Sequence, residues 1–376
     1  MMLSFTPSDG LINHLKKAQS QIEAAATLIV ALPVEERAYL ERSALVSTIG
    51  ASTRIENAVL TDAEIEWVDT TLTADGKTTA YESKRSLILD KLSKDRERSV
   101  EEVVGCREAL TLIFQQTDDL FPLTETTIRA LHQALLAYYP AASAYAGGYK
   151  TASNQVVSFN HDTGERRVVL EPAPPGPLTE TAMSDLVTWY NGMIRSHPWP
   201  LLVATEFVFR FLAIHPFQDG NGRLGRALFL LALMHGADPA LRTVVRSASV
   251  DRQIERNRSL YYLLLHKTSA GAYHADPTTY RLEPLARFFL RTIEDALADV
   301  PILRARYAAL NRLSESAIRV LACFKSAPEK QLRVADISAE TGLVRRTTQN
   351  AITALLAAGC LQRLGAGPSS RYRLLF

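Results

Sequence analysis

Residues 201–214 and 223–234 are apolar almost all the way round a helix, and only the eight residues 215–222 separate them. A helix of that kind cannot lie on a surface, because it needs neighbours on every side. The pair must therefore sit at the centre of a helical body that the rest of the chain supplies. With 376 residues, 47% of them hydrophobic and 22% charged, the chain has the material for a large core. At about 150 residues per domain it has room for two or three domains. Its longest apolar run, 227–234, falls well short of the roughly 18 residues of a membrane span, so a soluble protein with no membrane partner is expected.

The remaining periodicity is mostly helical. Apolar steps of three and four residues run through 11–57, with a break at Pro33, and continue through 101–120, 124–138, 179–194, 251–268 and 285–297. Thr61 and Glu64 have the spacing of a capping box. Gly76-Lys77-Thr78 lacks the glycine that a phosphate-binding loop requires five residues earlier, where Thr71 stands, so that reading is rejected. One β-hairpin is expected, 155–159 and 166–170 flanking Asn160-His161-Asp162-Thr163-Gly164. The prolines at 172, 174, 175 and 177 then make a stiff connector.

Charge divides the chain. Overall, 42 Lys and Arg against 40 Asp and Glu give a net +2, which excludes a protein that coats polyanions. Residues 301–376 nevertheless hold twelve basic and four acidic residues, a net +8, and leave −6 for the first 300. Within that tail, 314–324, 334–341 and 345–358 read as three short helices, followed by two β-like segments at 359–364 and 370–375. Three helices and a hairpin make a winged-helix arrangement. The expected fold class is all-α, a helical core with a β-hairpin and a C-terminal winged-helix domain, divided as 1–120, 121–300 and 301–376. Cys106, Cys323 and Cys360 are too few and too scattered for a disulfide framework or a cysteine zinc site. Together with a first segment that lacks a secretory pattern, they point to a reducing cytoplasm.

The turn between the two apolar helices carries the chemistry: His215-Pro216-Phe217-Gln218-Asp219-Gly220-Asn221-Gly222-Arg223-Leu224-Gly225-Arg226. Gly220 and Gly222 let successive N–H groups converge where a helix starts, a place that suits phosphate. Arg223 and Arg226, three apart in an apolar helix, need an anionic partner. Asp219 beside such a site is placed to hold Mg²⁺, which shares oxygen ligands with phosphates. His215 can take a proton from a hydroxyl near neutral pH. A histidine before proline, a Gly-Asn-Gly turn or an arginine pair would each be ordinary alone; together they describe phosphoryl or nucleotidyl transfer.

The stretch resembles the Fic motif, HPFx[D/E]GNGRxxR, at every defined position. The resemblance implies a mostly helical Fic-type core that transfers AMP from ATP to a Ser, Thr or Tyr hydroxyl of a target protein. By position it implies His215 as base, Phe217 as core anchor and Asp219 as Mg²⁺ ligand. It also implies Gly220, Asn221 and Gly222 as the anion cradle, with Arg223 and Arg226 on the nucleotide phosphates. The hairpin stands where the family has a flap that aligns an extended target segment by strand addition. Tyr261-Tyr262 matches a pair lining the family's adenine pocket, although this chain offers only Ser269 where many relatives have asparagine. Upstream, Ser52-Thr53-Arg54-Ile55-Glu56-Asn57 resembles the family's inhibitory pattern, [S/T]xxxE[G/N], which implies an N-terminal inhibitory helix whose Glu56 pairs with Arg226. Homodimers, common among relatives, are implied as well.

Two other readings stay open: a transcription regulator whose core senses nucleotide and whose tail binds DNA through 345–350, Arg371 and Arg373, and an enzyme transferring UMP or phosphate.

Overall fold

The computed structural model describes residues 1–73, 80–93, 96–159, 166–325 and 328–375. Helices α1 (Asp9–Val30), α2 (Val34–Ile55), α3 (Asp62–Leu72), α4 (Tyr81–Lys91), α5 (Glu97–Gln115) and α6 (Glu125–Leu136) precede a hairpin of β1 (Val156–Phe159) and β2 (Arg166–Leu170). There follow α7 (Pro177–Met193), α8 (Pro200–Ile214), α9 (Asn221–His235), α10 (Pro239–Ser247), α11 (Val250–Arg256), α12 (Arg258–Ser269) and α13 (Glu283–Leu310). The chain ends in α14 (Glu315–Lys325), β3 (Gln331–Leu332), α15 (Val334–Thr341), α16 (Arg345–Ala357), β4 (Leu361–Leu364) and β5 (Arg371–Leu374). The hairpin tip at 160–165 and the Gly76-Lys77-Thr78 segment lie outside the described residues. Among the described residues no helix is long and apolar enough to cross a membrane.

Local chemistry sets the helix ends. Thr61 and Glu64 form a reciprocal capping box at the start of α3. Ser8 caps α1 by accepting from Leu11 N. α8 and α9 pack against each other and are buried along nearly their whole length, α8 placing Phe207, Phe209 and Phe211 in the core and α9 placing Phe229. Phe229 stacks on Phe289 of α13, with ring centroids 4.2 Å apart. This is the burial that their lack of a polar face demands.

The structure departs from the sequence reading at two boundaries. One continuous core joins Leu11 to Val300, so the N-terminal helical region, 1–120, and residues 121–300 share an interior. The division at 300/301 falls inside α13, which continues through Pro301 to Leu310. Beyond the proline, Arg304 pairs with Glu36 (2.7 Å) and Tyr307 packs on Tyr39 (centroids 5.3 Å), so contacts with α2 support the helix where a hydrogen bond is lost. The helix read over 251–268 is broken at Asn257, which ends α11 and starts α12.

A second, smaller core begins at Ala317 and ends at Tyr372. It lies between α14–α16 and a three-stranded antiparallel sheet in the order β3-β5-β4, in which Tyr372 pairs with both Leu332 and Arg363.

Candidate active site

The loop between α8 and α9 is built around Phe217. Its ring is fully buried and stacks on His132 of α6, centroids 3.8 Å apart. The Asn221 side chain closes the turn, accepting from Phe217 N (3.0 Å) and donating to Phe217 O (2.7 Å). His132 accepts from Gly147 N through Nδ1 and donates from Nε2 to Asp219 O, both at 2.9 Å. Burial pushes its pKa down to about 4, which keeps that tautomer neutral. Lys150 completes the frame by donating from Nζ to Ile214 O (3.0 Å), the last carbonyl of α8.

These contacts shape the rim of a cavity of about 300 Å³ lined by His215, Asp219, Gly222, Arg223, Arg226 and the tyrosines 261 and 262. His215 caps α8 in the left-handed region (φ 51°), which turns its side chain out of the helix line. Its Nδ1 lies 3.2 Å from Leu212 O, and since a carbonyl only accepts, Nδ1 carries the proton and Nε2 is left as the basic nitrogen. Burial lowers its pKa to about 4; the Leu212 carbonyl opposes that shift and Lys150 adds to it. At neutral pH the imidazole is an uncharged base.

Gly220, at φ 77°, is the N-cap of α9. A side chain is disfavoured at that φ. Its N–H donates to Asp219 Oδ1 (2.6 Å), so the N–H groups left for an anion are those of the first turn of α9, which have no acceptor within the helix. Asn221 likewise spends its side chain on the loop and positions the cradle from behind.

The two arginines of α9 differ sharply. Arg226, 2% exposed, is fully engaged by the end of α2. Its Nε donates to Ser52 Oγ (3.0 Å), Nη2 to Ser52 O (2.7 Å) and Nη1 to Glu56 Oε1 (2.9 Å). Burial disfavours its charge, but Glu56 and the neighbouring acidic groups outweigh that and hold its pKa above the ordinary value. Arg223 is 4% exposed, yet its Nε and Nη1 have no hydrogen-bond partner. The nearest carboxylates, Glu102 and Asp219, stand 3.8 Å away. A buried guanidinium left so incompletely paired costs several kcal/mol.

Glu56 is delivered by the way α2 ends. Asn57 adopts the left-handed conformation (φ 74°) and Ala58 N bonds Thr53 O (3.1 Å), a Schellman-type closure. Arg54 pins the same turn to Glu255 (2.6 Å) and Asp62 (2.8 Å).

On the far side, Val156 and Leu170 of the hairpin line the cavity. β2 is anchored by Glu171 N to Gly271 O (2.8 Å) and by the His266 ring to Val169 O (2.9 Å). Tyr261 is buried and Tyr262 half-buried, ring centroids 5.5 Å apart. Ser269 is buried outside the lining, its hydroxyl turned to Leu265 O and Gly271 N. Residues that sequence reasoning missed are His132, Lys150, Asn154, Glu102 and Asp251. Asn154 donates to Phe217 O (2.9 Å) and lines the cavity. Asp251 lies buried 3.7 Å from Arg226, its pKa raised by burial to about 6.

Residues 122–233 match the Fic/DOC family model. The chain is 24% identical to the protein adenylyltransferase Fic of Drosophila ananassae over 239 residues, covering 63% of this chain and 41% of that protein. It is 29% identical to the protein adenylyltransferase fic-1 of Caenorhabditis briggsae over 100 residues, covering 27% and 18%. At most about two fifths of these relatives' length is thus matched. Among solved structures, a Fic family protein from Desulfovibrio desulfuricans G20 aligns over 100% of this chain and 98% of its own, with a TM-score of 0.53 and 22% identity. Fic-1 (aa134–508) from C. elegans aligns over 77% and 72%, with a TM-score of 0.52 and 18% identity. The chain is mostly helical and has the Fic fold, and its motif loop lies within the matched segment.

Proposed function

We propose that this cavity binds a nucleoside triphosphate and that the protein transfers AMP from ATP to a Ser, Thr or Tyr hydroxyl of a target protein, restrained by Glu56. The observation that carries the reading is Arg223, a buried guanidinium whose Nε and Nη1 make no hydrogen bond and whose carboxylate neighbours stand 3.8 Å away, at a cavity that also holds a neutral histidine and the N-terminus of a buried helix. The charge of a phosphate there matches both the guanidinium and the helix dipole. The relatives' names and the fold support the same chemistry.

His215 Nε2 takes the proton of the attacking hydroxyl. The hydroxyl oxygen bonds to the α-phosphorus, the bond to the β-phosphate bridge breaks, and pyrophosphate leaves. Arg223 and the first turn of α9 hold the phosphates in line. Among the described residues no group of three His, Cys, Asp or Glu forms a metal cage, while the Asp219 carboxylate is 42% exposed at the cavity. One carboxylate beside phosphates suits Mg²⁺, so Asp219 would hold it. There the ion would neutralise phosphate charge. Tyr261 and Tyr262 supply aromatic surface for a base. The described hairpin is two-stranded, which leaves an edge open for an extended target segment.

Glu56 restrains transfer by holding Arg226. With that cation engaged and a carboxylate beside it, a γ-phosphate meets repulsion where it needs attraction. The test is to incubate Glu56→Gly protein with Mg²⁺ and each of the four labelled ribonucleotides, with His215→Ala added to it as the control. Incorporation of label from ATP with the mass of AMP is the expected result. UMP or phosphate mass on the product would replace the donor assigned here, and nucleotide binding without incorporation would make the core a sensor.

A further inference from the structure

No residue of the second core lines the nucleotide cavity. Its surface has a character of its own. α15 and α16 meet as a helix–turn–helix through Gly342 (φ 69°), packed under the three-stranded sheet. On α16, Thr348, Ala351, Ile352 and Leu355 face the core, while Arg345, Arg346, Gln349, Asn350 and Thr353 make up the opposite, exposed face.

The cations of this region fall into two groups. Several brace the fold: Arg319 bonds Thr341 O, Lys330 pairs with Glu340 (2.8 Å) and Arg306 bonds Gly359 O (3.0 Å). In the hairpin, Arg363 is held by Ser370 (2.8 Å) and Arg373 by Gln362 (2.9 Å). Arg345 and Arg346 on α16 and Arg371 on β5 are exposed and have no ion pair or side-chain hydrogen bond among the described residues. Val344, just before α16, is 70% exposed.

We propose that this face docks on double-stranded DNA, with the first turns of α16 in the major groove. Arg345, Arg346 and Arg371 would reach phosphates, Gln349 and Asn350 would reach base edges, and Val344 would lie against a thymine methyl. The B-form major groove, about 12 Å wide, admits a helix, and Gln and Asn offer the paired donor and acceptor that adenine presents there. An acidic protein would have little to bury on this face besides Val344 and would leave the amides idle. An RNA duplex has a major groove too narrow for the helix.

The test is fluorescence anisotropy of the full chain with a labelled random-sequence DNA duplex over a salt series, without nucleotide. Its failure would therefore leave the transfer reading intact. Three phosphate contacts predict an affinity loss of about 40-fold between about 50 and 200 mM salt. The Arg345→Ala/Arg346→Ala protein should bind more weakly throughout and lose only about 3- to 4-fold over the same range. Arg371→Ala alone should remove about one contact's worth of the slope. All these side chains are exposed and partnerless, so the variants should melt as wild type does. Gln349→Ala/Asn350→Ala should keep the salt slope and lose sequence preference in selection from a duplex library. The proposal is overturned if the duplex does not bind at about 50 mM salt. It is also overturned if the double variant keeps the wild-type slope, or if polyglutamate or an RNA duplex binds as tightly as DNA.

Discussion

Glu56 Oε1 stands 2.3 Å from where a Cβ on Gly222 would lie. The glycine is therefore what lets the end of α2 reach the start of α9. One position serves two purposes, because the same missing side chain that bares the N–H groups of α9 also admits the carboxylate that engages Arg226. The contact proposed as inhibitory thus lies at the first turn of α9, where the phosphates are proposed to bind.

Removing that carboxylate should release the site. In Glu56→Gly the Arg226 guanidinium loses a charge-assisted bond of about 1.5–3 kcal/mol, and AMP incorporation should rise about ten- to a hundredfold. Counting label incorporated from α-labelled ATP checks this, and an unchanged rate would remove Glu56 from the regulatory role. Ser52→Ala should give a smaller rise, since Nη2 still bonds the Ser52 carbonyl.

Arg223→Met keeps the length of the side chain and removes a poorly paired buried charge. Without nucleotide the variant should melt close to wild type, because the attraction lost to Glu102 and Asp219 acts over 3.8 Å and Glu102 keeps its pairing with Arg98. ATP and Mg²⁺ should raise the melting temperature of Glu56→Gly, and that rise should largely vanish when Arg223→Met is added. An undiminished ATP-induced shift would mean that the phosphates bind elsewhere.

The pH dependence follows from burial. His215, lowered to about 4, stays an unprotonated base well below neutrality. In Glu56→Gly, kcat/KM should accordingly hold level until the pH approaches that value, whereas an ordinary imidazole would lose about tenfold per unit below about 6.5. Stability has its own trend. His132, His215 and His235 are each near 4 in the folded chain, so the unfolded chain takes up more protons between about 6.5 and 4 and stability falls as pH drops through that window. Asp251, raised to about 6, works in the opposite sense below that pH. Rates and circular dichroism measured at the same pH values separate the two effects.

The motif loop was legible because its residues are adjacent in sequence and chemically unusual for an apolar setting. Ser52 and Glu56 were legible only through resemblance, since a helix end bearing a glutamate says nothing by itself about a partner 170 residues away. His132 and Lys150 gave no usable signal. One is a single histidine in an amphipathic helix, the other follows a glycine pair that marks only a turn, and both act on backbone carbonyls that no side-chain pattern records. The division at 300/301 followed charge, which does not mark where a helix ends, and the contacts with Glu36 and Tyr39 that accompany α13 past Pro301 are tertiary. In the tail, Thr348 and Arg373 read as candidate DNA contacts, but the first packs into the core and the second bonds Gln362.

Asn221 offers the sharpest test of how the loop is held. Its side chain makes two bonds to the Phe217 backbone and is 1% exposed, so Asn221→Ala orphans the Phe217 N–H inside the protein. The expected loss is about 2–4 kcal/mol of stability. Phe217 O also accepts from Asn154, so Asn154→Ala alone should cost only about 1 kcal/mol. Because both amides converge on that one carbonyl, removing both leaves it bare, and the double variant should lose more than the sum of the single losses. Urea unfolding midpoints for the four proteins measure the coupling. Additive losses would show that the two side chains do not share the carbonyl, and the loop would then owe its shape to Phe217 and His132 alone.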